Sequence, residues 1–244
     1  MLAVALLLAV MAVATGNRGL LLSVASALAL LIGLGVALPQ LQMFGPFLCR
    51  GATGRRQVAL TFDDGPDARS TPALLDLLRE KGVPAAFFGV GGKVAANPQL
   101  AARIVREGHL LENHSYAHSH LTNFFSTSRL RIDLEKTQAA IREATGVTPT
   151  LFRPPMGLSN PRVFAVARAL GLRVIGWSAR GLDTVIRNPD RVVARIVRRL
   201  QPGGIVLLHD GNIPAEQLLM TVRGLLTSLH EHGYEVVRLD KLLE

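Results

Sequence analysis

The chain has 244 residues, 49% of them hydrophobic, and a formal net charge of +9 from 27 Lys and Arg against 18 Asp and Glu. Its one cysteine, Cys49, excludes an intrachain disulfide, and no nucleic-acid-binding motif accompanies its arginines. The charge is unevenly placed: residues 1–44 hold only Arg18, and no acidic residue precedes Asp63.

That asymmetry divides the chain. Residues 1–40 read as a membrane anchor of two apolar helices, 1–15 and 20–38, joined by a tight turn at 16–19. The second run approaches the ~20 residues a helix needs to cross a bilayer. A signal peptide is the alternative for the first run, with Ala12-Val13-Ala14 as a small-residue cleavage site, although no positive charge precedes it. Residues 41–56 read as a linker, and 57–244 as one domain of about 190 residues, enough to bury a single core.

Within the domain, short apolar runs at 58–62, 85–90, 110–113, 151–153, 173–177, 205–208 and 235–239 predict strands buried on both faces. Amphipathic stretches at 71–81, 98–107, 128–145, 160–170, 189–200 and 215–232 predict helices. Gly82, Gly108, Gly146, Gly171 and Gly233 follow helical runs, where a C-terminal cap belongs. Regular alternation of the two implies parallel strands covered by helices. The expected fold is a (β/α) barrel, distorted or seven-stranded, preceded by a transmembrane helical hairpin.

The reactive residues fall at predicted strand ends: Asp63 and Asp64, His114, Arg153, Trp177, and His209 with Asp210. In βα-barrels the C-terminal strand ends build the active site, so residues far apart in sequence converge on one rim. Asp63-Asp64-Gly65-Pro66 alone is ordinary turn chemistry. His114-Ser-Tyr-Ala-His118 spaces two imidazoles by four residues, which one helical turn would set side by side. One carboxylate and two imidazoles are a ligand set for catalytic zinc with an open position for water, which makes Asp64, His114 and His118 the candidate ligands. Asp63 is available as the general base and His209 as the acid. Arg153 could hold a carboxylate and Asp183 could orient the imidazole of His209, unless the two are a buried ion pair in the wall. His120 is expected on the rim rather than as a fourth ligand.

Taken together, these segments resemble the polysaccharide deacetylase family, the NodB-homology or carbohydrate esterase 4 group, over residues 57–243. Thr61-Phe62-Asp63-Asp64-Gly65-Pro66 matches the family's first motif in full, and His114–His118 its second. Arg153-Pro154-Pro155-Met156-Gly157 and Val206-Leu207-Leu208-His209 are similar to two further motifs. The resemblance implies an N-deacetylase of amino sugars dependent on a divalent metal, zinc by the ligand set. Asp63 would be the base, His209 the acid, and Arg153 and Asp183 their supports. Pro154, Pro155, Trp177, Val206 and Leu207 would face substrate, Val206 and Leu207 lining the acetyl-methyl pocket. The motif Trp177-Ser178-Ala179-Arg180-Gly181-Leu182-Asp183-Thr184 departs from the pattern: Arg180 stands where an acidic residue is usual, Thr184 and Met156 where aromatics are common. These departures bear on substrate identity.

The expected substrate is an envelope polysaccharide or peptidoglycan containing N-acetylglucosamine, with the catalytic domain outside the cytoplasm at a bacterial-type plasma membrane. A lipid-linked amino sugar is the alternative, and a non-catalytic glycan-binding module a further one. Counting Arg50, Arg55 and Arg56 against Arg18 votes instead for a cytoplasmic domain. Between Arg153 and Arg199 ten arginines face two aspartates. On the predicted helix at 189–200, Arg191, Arg195, Arg198 and Arg199 form one face, either solvated or set against anionic headgroups or an anionic glycan.

Overall fold

The computed structural model describes residues 11, 14–37, 41–51 and 54–244. Most of the first apolar run lies outside them, so the expected hairpin is represented by its second member alone, α1 (Arg18–Ala37). Its stretch Arg18–Val36 is long and apolar enough to cross a membrane by length and composition, and 11% of it is buried.

Eight short strands form one parallel sheet: β1 (Gln57–Asp63), β2 (Ala86–Gly89), β3 (Leu110–Asn113), β4 (Leu151–Phe152), β5 (Arg173–Val174), β6 (Ala179–Arg180), β7 (Gly204–His209) and β8 (Glu235–Val236). Their order is β5-β4-β3-β2-β1-β7-β6, with β8 on β1. Around them lie α2 (Thr71–Lys81), α3 (Gly91–Ala96), α4 (Pro98–Arg106), α5 (Thr127–Thr145), α6 (Pro161–Ala169), α7 (Pro189–Val197), α8 (Ala215–Glu231) and α9 (Leu239–Leu242). The five glycines predicted to end helices all have positive φ, and the side chains of Ser126, Asn160 and Asn188 cap the first turns of α5, α6 and α7.

The barrel does not close, so of the expected forms the incomplete, distorted one is found. The predicted strand at 173–177 ends at Val174, and β6 follows after a few residues. Neighbouring parallel strands need a crossover of a dozen residues or so. β5 and β6 are therefore successive pieces of one bent chain at opposite edges, and the sheet is a curled half-barrel. Part of the stretch read as a linker enters the gap. Leu48 bridges Ile175 and Arg50 bridges Gly204, while Phe47 is buried with Phe125, Phe152 and Val174.

The period of two along β1 explains what fills each side of the sheet. Val58, Leu60 and Phe62 join the large cluster beneath the helices. Ala59 faces the barrel interior with Phe88, Ile205, Leu239 and Leu242, so α9 plugs the lower end. Above this apolar floor the same face of β1 carries Thr61 and then Asp63. Polarity thus rises from floor to rim.

Candidate active site

Consecutive strand residues point to opposite faces, so two adjacent carboxylates cannot both face a cleft unless the backbone turns. It turns at Asp64, whose φ of 71° is left-handed, a conformation Asp tolerates better than most residues. Gly65 follows, and a Cβ there would collide with the buried Asp210 carboxylate. Asp210 accepts a hydrogen bond from the Thr71 hydroxyl at 2.5 Å, and its main-chain carbonyl accepts one from the Ser70 hydroxyl. Lys93 Nζ donates to the Asp64 carbonyl at 2.7 Å.

Asp63 belongs to a buried polar column. Arg153 is fully buried and donates to Asp63 Oδ1 at 2.7 Å, to Thr61 Oγ1 at 2.8 Å and to the Gly176 carbonyl at 2.9 Å. Burial pulls its pKa down, and the charge of Asp63 opposes that. Its guanidinium lies 4.1 Å from the centroid of Phe88, the top of the apolar floor.

His114 follows β3 and is buried. The motif ending at His118 is a loop, not the helical turn its spacing suggested: Ser115 and His118 both have positive φ. The two rings nevertheless lie 4.9 Å apart. Asp64 Oδ1 is 3.5 Å from His114 Nε2 and 3.0 Å from His118 Nε2, and one ligand atom from each of the three residues lies within 4.8 Å of the others. His114 Nδ1 is 2.7 Å from the Arg153 carbonyl. A carbonyl only accepts, so Nδ1 donates to it, which turns Nε2 towards Asp64. Asp64 Oδ1 is buried and has no hydrogen-bond donor. Burial opposes ionisation of Asp64, but His114 and His118 hold its carboxyl well below the usual range. Burial likewise opposes charge on His118, and Asp64 raises its pKa above the ordinary value. One carboxylate and two imidazoles converging in this way, with positive charge favoured between them, fit a divalent cation.

Across the cleft His209 ends β7. Its Nδ1 is 3.0 Å from Asp183 Oδ1, and its backbone N–H donates to Asp183 Oδ2 at 2.7 Å. Burial works against protonating the imidazole; the hydrogen bond and charge of Asp183, helped by Asp63 and Asp64, outweigh it and raise the pKa to about 9. Gln217 Nε2 on α8 donates to the Asp183 carbonyl at 2.8 Å and fixes the loop.

Trp177 and Leu207 line the cleft, together with His120, Met156, Arg180, Thr184 and Asn212. The remaining predicted substrate residues do not. Val206 alternates with Leu207 and therefore points into the core beneath the helices; Pro154 and Pro155 are buried outside the lining. Gly157 is required: its φ is 67°, and a Cβ would strike the Trp177 ring. Asn212, which carries no sequence motif, donates to Asp64 Oδ2 at 3.4 Å. Its one signal was proximity to His209.

A family model for polysaccharide deacetylase matches residues 50–175, which stops short of Asp183 and His209. A peptidoglycan-N-acetylglucosamine deacetylase of Listeria monocytogenes is 39% identical over 78% of this chain, which spans 40% of that relative's length. A chitooligosaccharide deacetylase of Bradyrhizobium is 36% identical over 78% of this chain and 92% of its own. A carbohydrate esterase family 4 pseudoenzyme from Bacillus anthracis has a similar structure, with a TM-score of 0.75 and 30% identity over 82% of this chain and 69% of its own.

Proposed function

Because the chain belongs to the polysaccharide deacetylase family, we propose that it is a metal-dependent hydrolase removing N-acetyl groups from N-acetylglucosamine in an envelope polysaccharide such as peptidoglycan. Kinship of fold alone does not decide activity, since one structural relative is a pseudoenzyme. The supporting observation is the complete set of reacting groups around one cleft: Asp63, Asp64, His114, His118 and His209.

A divalent cation, zinc in this reading, held by Asp64, His114 and His118 would polarise the acetamide carbonyl and lower the pKa of a water. Asp63 is the general base. Arg153 engages its Oδ1, leaving Oδ2 to take the proton of the attacking water. His209 is the acid. With Nδ1 committed to Asp183, Nε2 donates the proton that the departing nitrogen takes as the C–N bond breaks, giving acetate and a free amine. Its pKa of about 9 keeps it charged at neutral pH. Trp177 and Leu207 supply apolar surface for the acetyl methyl. α1 anchors the domain to a bacterial-type plasma membrane, with residues 57–244 outside the cytoplasm.

Acetate released by the full-length, zinc-loaded chain from N-acetylglucosamine oligomers and peptidoglycan is the direct test; none from either would overturn the proposal. The apolar helix favours one second reading, deacylation of a lipid-linked amino sugar at the membrane surface. Acetate from a diphosphopolyprenol-linked sugar alone would select it, as would a reporter fused after Glu244 that is active only in the cytoplasm.

A further inference from the structure

We propose that Arg180 is a specificity-determining residue that binds an anionic substituent, carboxylate or phosphate, on the glycan unit adjoining the acetamido sugar. The inference rests on the deacetylase reading and narrows its substrate class.

Pairing of β6 with β7 sets Arg180 opposite Leu207, a cleft residue two positions before His209. Alternation along β6 buries Ala179 in the core beneath the helices and leaves Arg180 exposed at the cleft. Its guanidinium lies 5.7 Å from the centroid of the Trp177 ring. That ring is itself fixed, backed by Gly157 and by the buried Arg153 at 6.0 Å. Arg180 is thus a positioned cation.

Its charge is also uncompensated. The carboxylates of the cleft are committed elsewhere: Asp63 to Arg153, Asp64 to the two imidazoles, and Asp183 to His209. Among the described residues no carboxylate pairs with Arg180. A guanidinium held over an aromatic ring at cation–π distance keeps its planar fork of donors available, a geometry matched to carboxylate or phosphate oxygens and one that lysine cannot reproduce. Because β6 lies beside β7, the bound anion would sit on the side of His209, away from the ligand set of Asp64, His114 and His118. It would therefore orient the sugar without competing for the cation.

The test compares acetate release from three classes of glycan: neutral N-acetylglucosamine oligomers; peptidoglycan strands stripped of peptide, with free or methyl-esterified carboxyls; and N-acetylglucosamine linked through diphosphate to a polyprenol. The wild-type chain should favour one anionic class over the neutral one in kcat/KM by about tenfold, the scale of one charged hydrogen-bonded contact. The preference should lie in KM and shrink in high salt. Arg180→Gln should remove it and Arg180→Lys should keep only part. Trp177 is the sole tryptophan, so its emission gives a readout independent of turnover: the preferred anion should shift it in the wild type and not in Arg180→Gln. Equal losses on neutral and anionic glycans, meaning that Arg180 merely supports Trp177, would overturn the proposal. So would a wild type without anionic preference. Acetate from no glycan at all would instead defeat the deacetylase reading, and this inference with it.

Discussion

The wall of the cleft carried by β1 and β3 and the wall carried by β6 and β7 are built by different means. On the first, left-handed backbone at Asp64 just past β1 and at Ser115 and His118 in the loop past β3 brings the Asp64 and His118 side chains to the cleft. The polar atoms behind them are tied to one another through Arg153, Thr61 and the Val206 carbonyl. On the second, β6 has two residues, and the loop beyond it leaves Thr184 and Val185 exposed. Asp183 is the fixed point there, held by His209 and Gln217. The motifs at Thr61–Pro66 and His114–His118 are intact on the first wall; on the second, Val206–His209 is kept and Trp177–Thr184 departs from the pattern. The proposed ligands and base sit on the wall whose motifs are kept, and the departures from the family's pattern fall beyond β6, next to a proposed acid that Asp183 holds in place.

The largest effect should come from the first wall. His114→Ala removes a proposed ligand and leaves Asp64 facing one imidazole. Stoichiometric zinc should be lost, and kcat/KM should fall by about 10⁴ or more, the scale expected when a hydrolytic metal no longer supplies its nucleophile. Metal analysis beside acetate release checks this, and activity in a metal-free variant would refute the ligand assignment. Asp63→Asn should be next. It keeps the shape and an acceptor for Arg153 but abolishes the base, so bound zinc should persist while turnover falls by roughly 10²–10⁴. If zinc left instead, Asp63 and Asp64 would exchange roles.

Arg153→Leu asks whether the column behind the wall is structural. It strands the Asp63 carboxylate without its partner inside the barrel, and removing one member of a buried pair costs about 3–5 kcal/mol. Denaturant unfolding should show that loss; a change below about 1 kcal/mol, the range of exposed ion pairs, would mean that water reaches the column.

How much of this the residues announced depends on the range of the interactions involved. Helix boundaries were legible to within a few residues because caps are local: Thr71–Lys81 was predicted to the residue, and Asn160 and Asn188 are ordinary N-cap types. Residues in register at strand ends were legible too, because Asp63, His114 and His209 interrupt apolar runs. Three things were not. The place where the barrel opens depends on the few residues between Val174 and Ala179, which read as one strand because Ile175 and Trp177 are apolar. The role of Phe47 and Leu48 in the gap is a long-range contact with no periodic signature. Val206 was assigned to the cleft because a motif names neighbours without saying which face each occupies. The spacing of His114 and His118 predicted neighbouring rings through the wrong local structure, since a loop with two left-handed residues brings them together where a helical turn was expected.

The smallest effect belongs to the second wall, at Asp183→Asn. In the folded chain Asp183 is the main force raising His209 to about 9 against the opposing effect of burial. A histidine raised in this way contributes stability that is fully present below its unfolded value of about 6.5 and is lost as pH rises through about 9. Its use as an acid has the same sign: activity should fall on the alkaline side as the proton leaves. Replacing Asp183 by Asn removes the charge and leaves burial, so that alkaline limb should move down by about 1–3 pH units, while zinc content and the acid-side limb stay in place. Arg180→Gln removes a charge from the same wall without touching the hydrogen bond to His209, and should change which glycan is preferred without moving the limb. If both substitutions moved the pH profile alike, the wall would act as one electrostatic unit, and the division between an acid-positioning residue and a substrate-selecting one would fail.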